Sequence, residues 1–400
     1  MDKYDLLSKK FAKLSNFNSI HIIQDMKYSG QAQFFRSYSH HIIRDIPYGR
    51  STYINIENLK LKEIKIAPLL DQYIRSRKKT PFPYTLIINN TDLICNGIDP
   101  KLINGRIVLD MHSKNNIFDL SSLLMNLYGY LDYDIFLITT QKIKLNEEVT
   151  KRITTKIDYV YFDDFLPKDY NMTIDEFINN EKNNNKQYRV YDINNHILTK
   201  YKKVKRIELF PKLIKYIANH IDENTSIPIL KKHLLKYDKK VIPLNIQTFI
   251  YILEDNFIVN RVNYIDMNTY QPQITYFKYY FSNLSKLFLF NNQKINDYKI
   301  YKNLIYQKLL YSNIEVYTGK YIRYSKKDGV TIKIRFEYDF VFEYKNNKYA
   351  INFESDYQNK YDDLLNLLDY NKIYITLKNI NTKRDSNGII NINLDKFLAK

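Results

Sequence analysis

QDMKYSGQAQFF, Gln24 to Phe35, is the stretch on which the N-terminal half of the chain turns. A short apolar run, SIHII (Ser19–Ile23), precedes it, and FFRSYSHHII (Phe34–Ile43) follows with apolar residues at helical spacing. Strand, tight turn holding Ser29 and Gly30, then helix is the layout of a phosphate-binding loop, whose backbone amides and helix N-terminus cradle phosphate oxygens. Yet Gln31 stands where such a loop needs lysine, and Ala32 where it needs a hydroxyl for magnesium. Two possibilities stay open at this point: a nucleotide site that has lost its chemistry, or a turn that never had any.

Outward from that stretch, residues 1–170 alternate strand-like and helix-like segments. SIHII, STYINI (Ser51–Ile56), YTLIIN (Tyr84–Asn89), RIVLDM (Arg106–Met111) and YDIFLIT (Tyr133–Thr139) are short apolar runs typical of buried parallel strands. Helical patterns lie between them, as in IAPLLDQYIRSRKK (Ile66–Lys79) and DLSSLLMNLYGYL (Asp119–Leu131). Such alternation predicts an α/β sheet covered on both faces. NNEKNNNKQ (Asn179–Gln187) has no periodicity and almost no apolar content, so it reads as a loop or linker. Three helical patterns and a hairpin follow within Ile207–Phe281, the plan of a winged helix. The last segment runs helix, three strands, helix, strand, the order of a small nuclease-like α/β domain. The expected division is 1–178 for the first sheet domain, 179–206 for the linker, 207–290 for the winged helix and 291–400 for the C-terminal domain.

The 400 residues are too many for one ordinary domain, and 44% hydrophobic content suffices for sizeable cores. The single cysteine, Cys95, rules out an internal disulfide, suits a reducing interior and reads as a small buried hydrophobe. MDKYDLLSKKFAKL has no apolar signal core and no run is long enough to span a bilayer, so a cytoplasmic chain without membrane contact is expected. The net charge of +18 has two readings. It fits an anionic partner such as nucleic acid, or the Lys-, Asn-, Ile- and Tyr-rich coding of an AT-biased genome. His40-His41 is a pair on adjacent helix positions, which do not face one ligand, so packing or surface is the expected role.

The order of the three parts resembles a family of predicted bacterial and archaeal ATPases of the AAA+ type, which carry a winged helix and a C-terminal nuclease-like domain. TFIYILEDNFIVNRV (Thr248–Val262), ITYFKYYFSNLSKLF (Ile274–Phe288), IYKNLIYQKLLYSNIEVYTG (Ile300–Gly319) and EYDFVF (Glu337–Phe342) run in that family's order and spacing. The resemblance implies an α/β fold with an AAA+-like P-loop sheet domain, then a winged helix, then a PD-(D/E)xK nuclease-like α/β domain. Against the family's phosphate loop, Lys27, Ser29 and Gly30 match. Asp25 replaces the first glycine, Gln31 the lysine and Ala32 the hydroxyl residue. A carboxylate at Asp25 would also oppose a triphosphate. For the magnesium-binding Asp-Glu at a later strand end, strand order offers Asn89 and Asn90, and spacing offers Asp110; neither supplies the glutamate. FLITTQK (Phe136–Lys142) and DDFLPKDY (Asp163–Tyr170) resemble two further family segments.

The nuclease-like domain implies a divalent metal held between a strand carboxylate and a following E-x-K, where it polarises phosphate. Asp339 matches the acid. The E-x-K strand reads Asn352-Phe353-Glu354, so glutamate and lysine are both gone, and the family's helix glutamate is Lys302 beside a matching Asn303. Glu337 and Glu354 remain available for an acidic cluster with Asp339.

The resulting expectation is a degenerate AAA+-like protein that binds or scaffolds without catalysis. No cofactor or metal is expected, and ATP with magnesium enters only if the loop is still competent. Two alternatives stand beside it: an active ATPase with a non-standard loop, and a winged-helix nucleic-acid binder. For the last, Lys231, Lys232, Lys239 and Lys240 surround the turn before the candidate recognition helix at Asn245. The partner is expected to be nucleic acid or another protein; oligomeric state is not legible.

Overall fold

SIHIIQ (Ser19–Gln24) is buried at every position, as a strand covered on both faces must be. The computed structural model describes residues 3–14, 19–25, 31–45, 50–55, 84–91, 101–103, 106–108, 133–143, 156–184, 190–327, 330–354 and 369–399. The chain divides into two compact units, residues 1–163 with 255–257 and residues 164–254 with 258–400. Together they are mixed α/β, one around a five-stranded parallel sheet and the other around an eight-stranded mixed sheet.

In the first unit α1 (Lys3–Leu14) precedes β1 (Ser19–Gln24), then α2 (Gln31–Asp45) and β2 (Arg50–Asn55) follow. β3 (Tyr84–Asn89), β4 (Lys101–Ile103), β5 (Arg106–Val108), β6 (Tyr133–Thr139) and β7 (Lys156–Tyr161) complete its strands. The parallel sheet runs β2-β3-β6-β1-β7, while β4 and β5 pair only with each other, antiparallel. Phe11 on α1 meets Phe35 of α2 at 4.7 Å, Phe136 of β6 at 6.1 Å and Phe162 at 6.2 Å, which seals one face of the sheet. Four of the expected strands therefore stand in this sheet. RIVLDM does not, because its Arg106–Val108 forms a hairpin with Lys101–Ile103 instead. KIDYVY escaped the sequence reading because β7 is an edge strand, half-buried, and needs no continuous apolar run. The helical patterns at 66–79 and 119–131, the turn at 26–30 and Cys95 lie outside the described residues.

The second unit opens with α3 (Ile174–Asn184), α4 (Val190–Lys200), α5 (Phe210–Asn219), α6 (Ile227–Leu234) and α7 (Pro243–Asp255). The first six of the nine residues in the Asn-rich run read as a loop or linker, Asn179–Asn184, are thus helix. Its buried stripe is Ile174, Phe177, Ile178 and Glu181, which starts upstream of the Asn-rich run and so was invisible within it. Ser285 donates to the buried Glu181 carboxylate through its backbone N–H at 3.2 Å and its hydroxyl at 2.6 Å.

The hairpin β8 (Val259–Asp266) and β9 (Gln271–Phe281) comes next, then α8 (Leu284–Phe290) and α9 (Asp297–Tyr311). The remaining elements are β10 (Tyr317–Lys327), β11 (Val330–Tyr344), β12 (Asn347–Phe353), β13 (Tyr370–Thr376), β14 (Lys383–Arg384), β15 (Ile390–Asn393) and α10 (Leu394–Ala399). Their sheet runs β14-β15-β13-β12-β11-β10-β8-β9. The hairpin is therefore an extension of the C-terminal sheet. β8 joins β10 in parallel, with Tyr264, Ile265 and Asp266 opposite Thr318, Gly319 and Lys320. Asn303, fully buried on α9, clamps the end of β9: its Oδ1 accepts the Phe281 N–H at 2.8 Å and its Nδ2 donates to the Phe281 carbonyl at 3.1 Å.

Gly319 sits beside the register shift between β10 and β11, where a Cβ would come within 2.5 Å of Val341 Cγ2 and 2.7 Å of Met267 Sδ. Met267 and Val341 belong to the buried cluster between β8, β10 and β11. Gly319→Ala should therefore cost about 1–3 kcal/mol by overpacking. Denaturant unfolding checks this, and an unchanged midpoint would contradict the tight packing.

Candidate functional site

Two places collect the residues singled out by sequence, one in each unit. In the first, β1 leads through α2 to β2 on one side of the sheet, while β6 leads to β7 on the other. The strand order therefore reverses between β1 and β6, and the crevice outside their carboxyl ends is where open α/β sheets bind ligands. Asp25 and Gln31 are both buried there. The Gln31 amide donates long hydrogen bonds, 3.4 Å each, to the carbonyls of Asp25 and Thr139, while the Asp25 N–H reaches the Thr139 carbonyl at 3.3 Å. Gln31 is thus turned down onto the strand ends. Ala32 gives its carbonyl to the Tyr53 hydroxyl at 3.3 Å.

Asn89 is buried at the end of β3, and Asn90 donates to Asn55 Oδ1 at 2.7 Å in a left-handed backbone conformation. Both stand at the carboxyl edge of the parallel sheet. Asp110 follows β5, which is not part of that sheet, and lies outside the described residues, as do Lys27, Ser29 and Gly30.

The second place is a buried ionic cluster on the C-terminal sheet. β11 supplies Asp339 and Glu337, α9 supplies Lys302, β9 supplies Lys278 and Tyr280, and the turn after α5 supplies Asp222. Lys302 Nζ lies 2.6 Å from Asp339 Oδ1 and 3.1 Å from Asp222 Oδ2. Lys278 Nζ lies 3.1 Å from Asp222 Oδ1 and 3.0 Å from Glu337 Oε1. Tyr280 donates its hydroxyl to Asp222 Oδ1 at 2.6 Å, and Tyr264 donates to Glu337 at 3.3 Å. The other Asp339 oxygen accepts the Phe353 N–H at 2.8 Å. Two ammonium groups therefore sit among three carboxylates and offset their mutual repulsion.

Of the residues singled out by sequence, the structure brings Lys302, Glu337 and Asp339 into this cluster, together with Asp222, Lys278 and two tyrosines that sequence reasoning did not name as site residues. Asp222 is far away in the chain, though its left-handed backbone (φ +61°) suits aspartate better than most residues. Asn352 and Glu354 do not join the ions. Asn352 accepts the Asp339 N–H through Oδ1 at 3.2 Å, so it ties β12 to β11. Glu354 turns to β13, accepting from the Thr376 hydroxyl at 2.5 Å and the Leu377 N–H at 2.6 Å. The expected grouping of Glu354 with Asp339 gives way because those two donors at the end of β13 satisfy its carboxylate first. Among the described residues no group of three metal-ligating side chains has the arrangement of a metal site.

Burial works against the charged forms of Asp222, Asp339, Lys278 and Lys302, and partners decide the outcome. Burial pushes the Asp222 carboxyl up, but Lys278, Lys302 and the Tyr280 hydroxyl together hold it below the ordinary range. Burial raises Asp339, and the nearby Asp222 adds to this against the pull of Lys302. Burial favours neutral lysine, yet the carboxylates lift Lys278 and Lys302 above their ordinary value.

Of the lysine candidates, Lys231 and Lys232 end α6, while Lys239 and Lys240 occupy the turn before α7. Asn245 is buried and structural, accepting the Ile242 N–H at 3.1 Å and donating to the Lys205 carbonyl at 3.2 Å. The helix it opens, PLNIQTFIYILED, carries no lysine or arginine and exposes only Pro243 and Gln247. It therefore offers almost nothing with which to read base edges.

Removing Lys302 leaves two buried carboxylates without their bridge. Lys302→Met should cost about 3 kcal/mol, the lower end for breaking a buried pair because part of the side chain meets solvent. Adding Asp339→Asn should recover part of the loss, which a double-mutant cycle by denaturant unfolding measures. The pH dependence has a sign. Raised lysines stabilise the fold fully below their unfolded pKa of about 10.4 and lose that contribution as pH climbs toward the folded value. On the acid side the depressed Asp222 and the raised Asp339 act in opposite directions. Unfolding midpoints from pH 8 to 11.5 should therefore show the wild-type advantage over Lys302→Met shrinking above about pH 10.4.

No protein-family model and no curated protein matches the chain. Among solved structures, the chain aligns with the crystal structure of protein VC1899 from Vibrio cholerae at 10% identity, covering 96% of each chain, with a TM-score of 0.17. At that score a shared fold is not shown.

Proposed function

We propose that the chain is a degenerate AAA+-like protein that has lost both ATP hydrolysis and nuclease chemistry and works by binding. The observation that carries this reading is Lys302, whose ammonium lies within 3.1 Å of both Asp222 and Asp339. A positive side chain tethered there does the electrostatic work of a metal without a metal's open coordination positions, so it stabilises the site and cannot activate water. The sheet order β2-β3-β6-β1-β7, with a helix leaving β1 at the switch point, supports a phosphate-loop ancestry. α5, α6, α7 and the β8–β9 hairpin support a winged-helix layout. At the loop, Gln31 is neutral, buried and bonded to strand-end carbonyls, and Asn89 and Asn90 stand on the strand where acids would be required. Losing lysine, hydroxyl and glutamate together removes the electrostatic support for phosphoryl transfer.

Purified full-length protein should therefore show no magnesium-dependent ATP turnover above background, and turnover that survives repurification would overturn the reading. Restoration gives a sharper test. Asp25→Gly with Gln31→Lys and Ala32→Thr should create measurable ATP affinity by calorimetry. Lys302→Glu should let Mn²⁺ raise the melting temperature, which Mn²⁺ should leave unchanged in the wild type. Failure of both gains in folded variants would mean neither site descends from such chemistry.

A further inference from the structure

We propose that the outer face of α5 and α6, with the turn that follows, is a docking surface for single-stranded nucleic acid. On the reading of the chain as a binding protein without catalysis, on which this inference rests, the surface supplies its partner class. Tyr216 of α5 is sandwiched between two imidazoles, His220 at 4.0 Å and His233 of α6 at 4.1 Å. Tyr237 continues the row edge-on from His233 at 5.6 Å and is 52% exposed. Ile242, at the end of the same turn, is 51% exposed. The faces of Tyr216 are occupied by the imidazoles, so Tyr237, held at the exposed end of the row, is the ring on which a base can stack irrespective of sequence.

The charge around the row matches a phosphate backbone. Between Ile227 and Ile242 there are five lysines and one acid, Asp238, and that acid is already paired with Arg206. Lys232, Lys236, Lys239 and Lys240 are exposed, and Lys212 of α5 lies 5.3 Å from the Tyr237 ring centroid. Burial, helped by Lys236 and His220, holds His233 below its ordinary value. The lysines therefore carry the charge and the rings carry the stacking. Duplex DNA is disfavoured because its bases are already stacked, and α7, which would have to enter the major groove, is buried and without cations.

The test is fluorescence anisotropy of full-length protein with labelled oligo-dT, oligo-rU and a mixed-sequence duplex of equal length. Single strands should bind more tightly than duplex, with log affinity falling against log salt by about 0.7 per contacted phosphate. Tyr237→Ala should weaken single-strand binding about tenfold, while Tyr237→Phe, which keeps the ring, should bind as wild type. Lys236→Glu with Lys239→Glu and Lys240→Glu should weaken it further. A control set on the C-terminal sheet surface, Lys345→Glu, Lys378→Glu and Lys383→Glu, should change it less than twofold. Duplex bound as tightly as single strands, equal losses from both lysine sets, or no binding by a folded wild type would each overturn the docking surface. ATP turnover is read on the same preparation, so loss of the catalytically silent reading registers separately.

Discussion

Lys302 is the side chain on which the C-terminal sheet depends. Asp339 lies on a central strand of that sheet and Asp222 on a turn more than a hundred residues earlier, both drawn out of water. Without a cation between them, burial and mutual repulsion would make the pair untenable as ions. The ammonium on α9 answers both, and Lys278 answers Asp222 again from the opposite side. One helix, two strands and a turn thereby meet at one cluster of ion pairs. Tyr280, buried between Tyr306 at 4.9 Å and Phe340 at 5.3 Å, surrounds this cluster with aromatic side chains of low polarity, which strengthens the attraction and raises the penalty for leaving any member unpaired.

On the reading proposed above, the same lysine accounts for a site kept in shape without its chemistry. A metal ion brings charge together with vacant coordination positions, and the vacancies are what let it bind and activate a reactant. A lysine brings the charge alone. At the other end of the chain, Gln31 follows a parallel logic without charge: its amide spends its donors on the carbonyls at the ends of β1 and β6. On the proposed reading, both residues favour a stable fold over turnover and leave the protein's surfaces as its working parts. The row of rings on α5 and α6, with lysines around it, is the surface whose chemistry points most directly to a ligand.

Much of the architecture could be read from sequence because buried strands leave a one-dimensional record. SIHII, YTLIIN and YDIFLIT sit in the middle of the parallel sheet, covered on both faces, and each is an apolar run whose ends match the strand closely. β7 is at the edge and leaves no such run. Asn179–Asn184 looked like linker because its helix buries residues that precede the Asn-rich stretch. Lys302, Glu337 and Asp339 could be singled out from sequence because the segments that carry them resemble motifs of a known family.

What the sequence determined by itself was the central buried strands and the residue types at each named position, since Gln31 is no lysine and Asn352 no glutamate wherever the chain goes. What only the tertiary structure decided was which groups met. Asp222 and Lys278 came to Asp339 because β9 adds to the C-terminal sheet through β8 and β10, a pairing between segments more than fifty residues apart. Glu354 left the acids for Thr376 and Leu377 because strand order put β13 beside it. Tyr216 and His233 stack because α5 and α6 pack together, though neither helix alone shows a row of rings. Contacts across long sequence separations depend on how strands and helices are ordered in space, and no local spacing records that order.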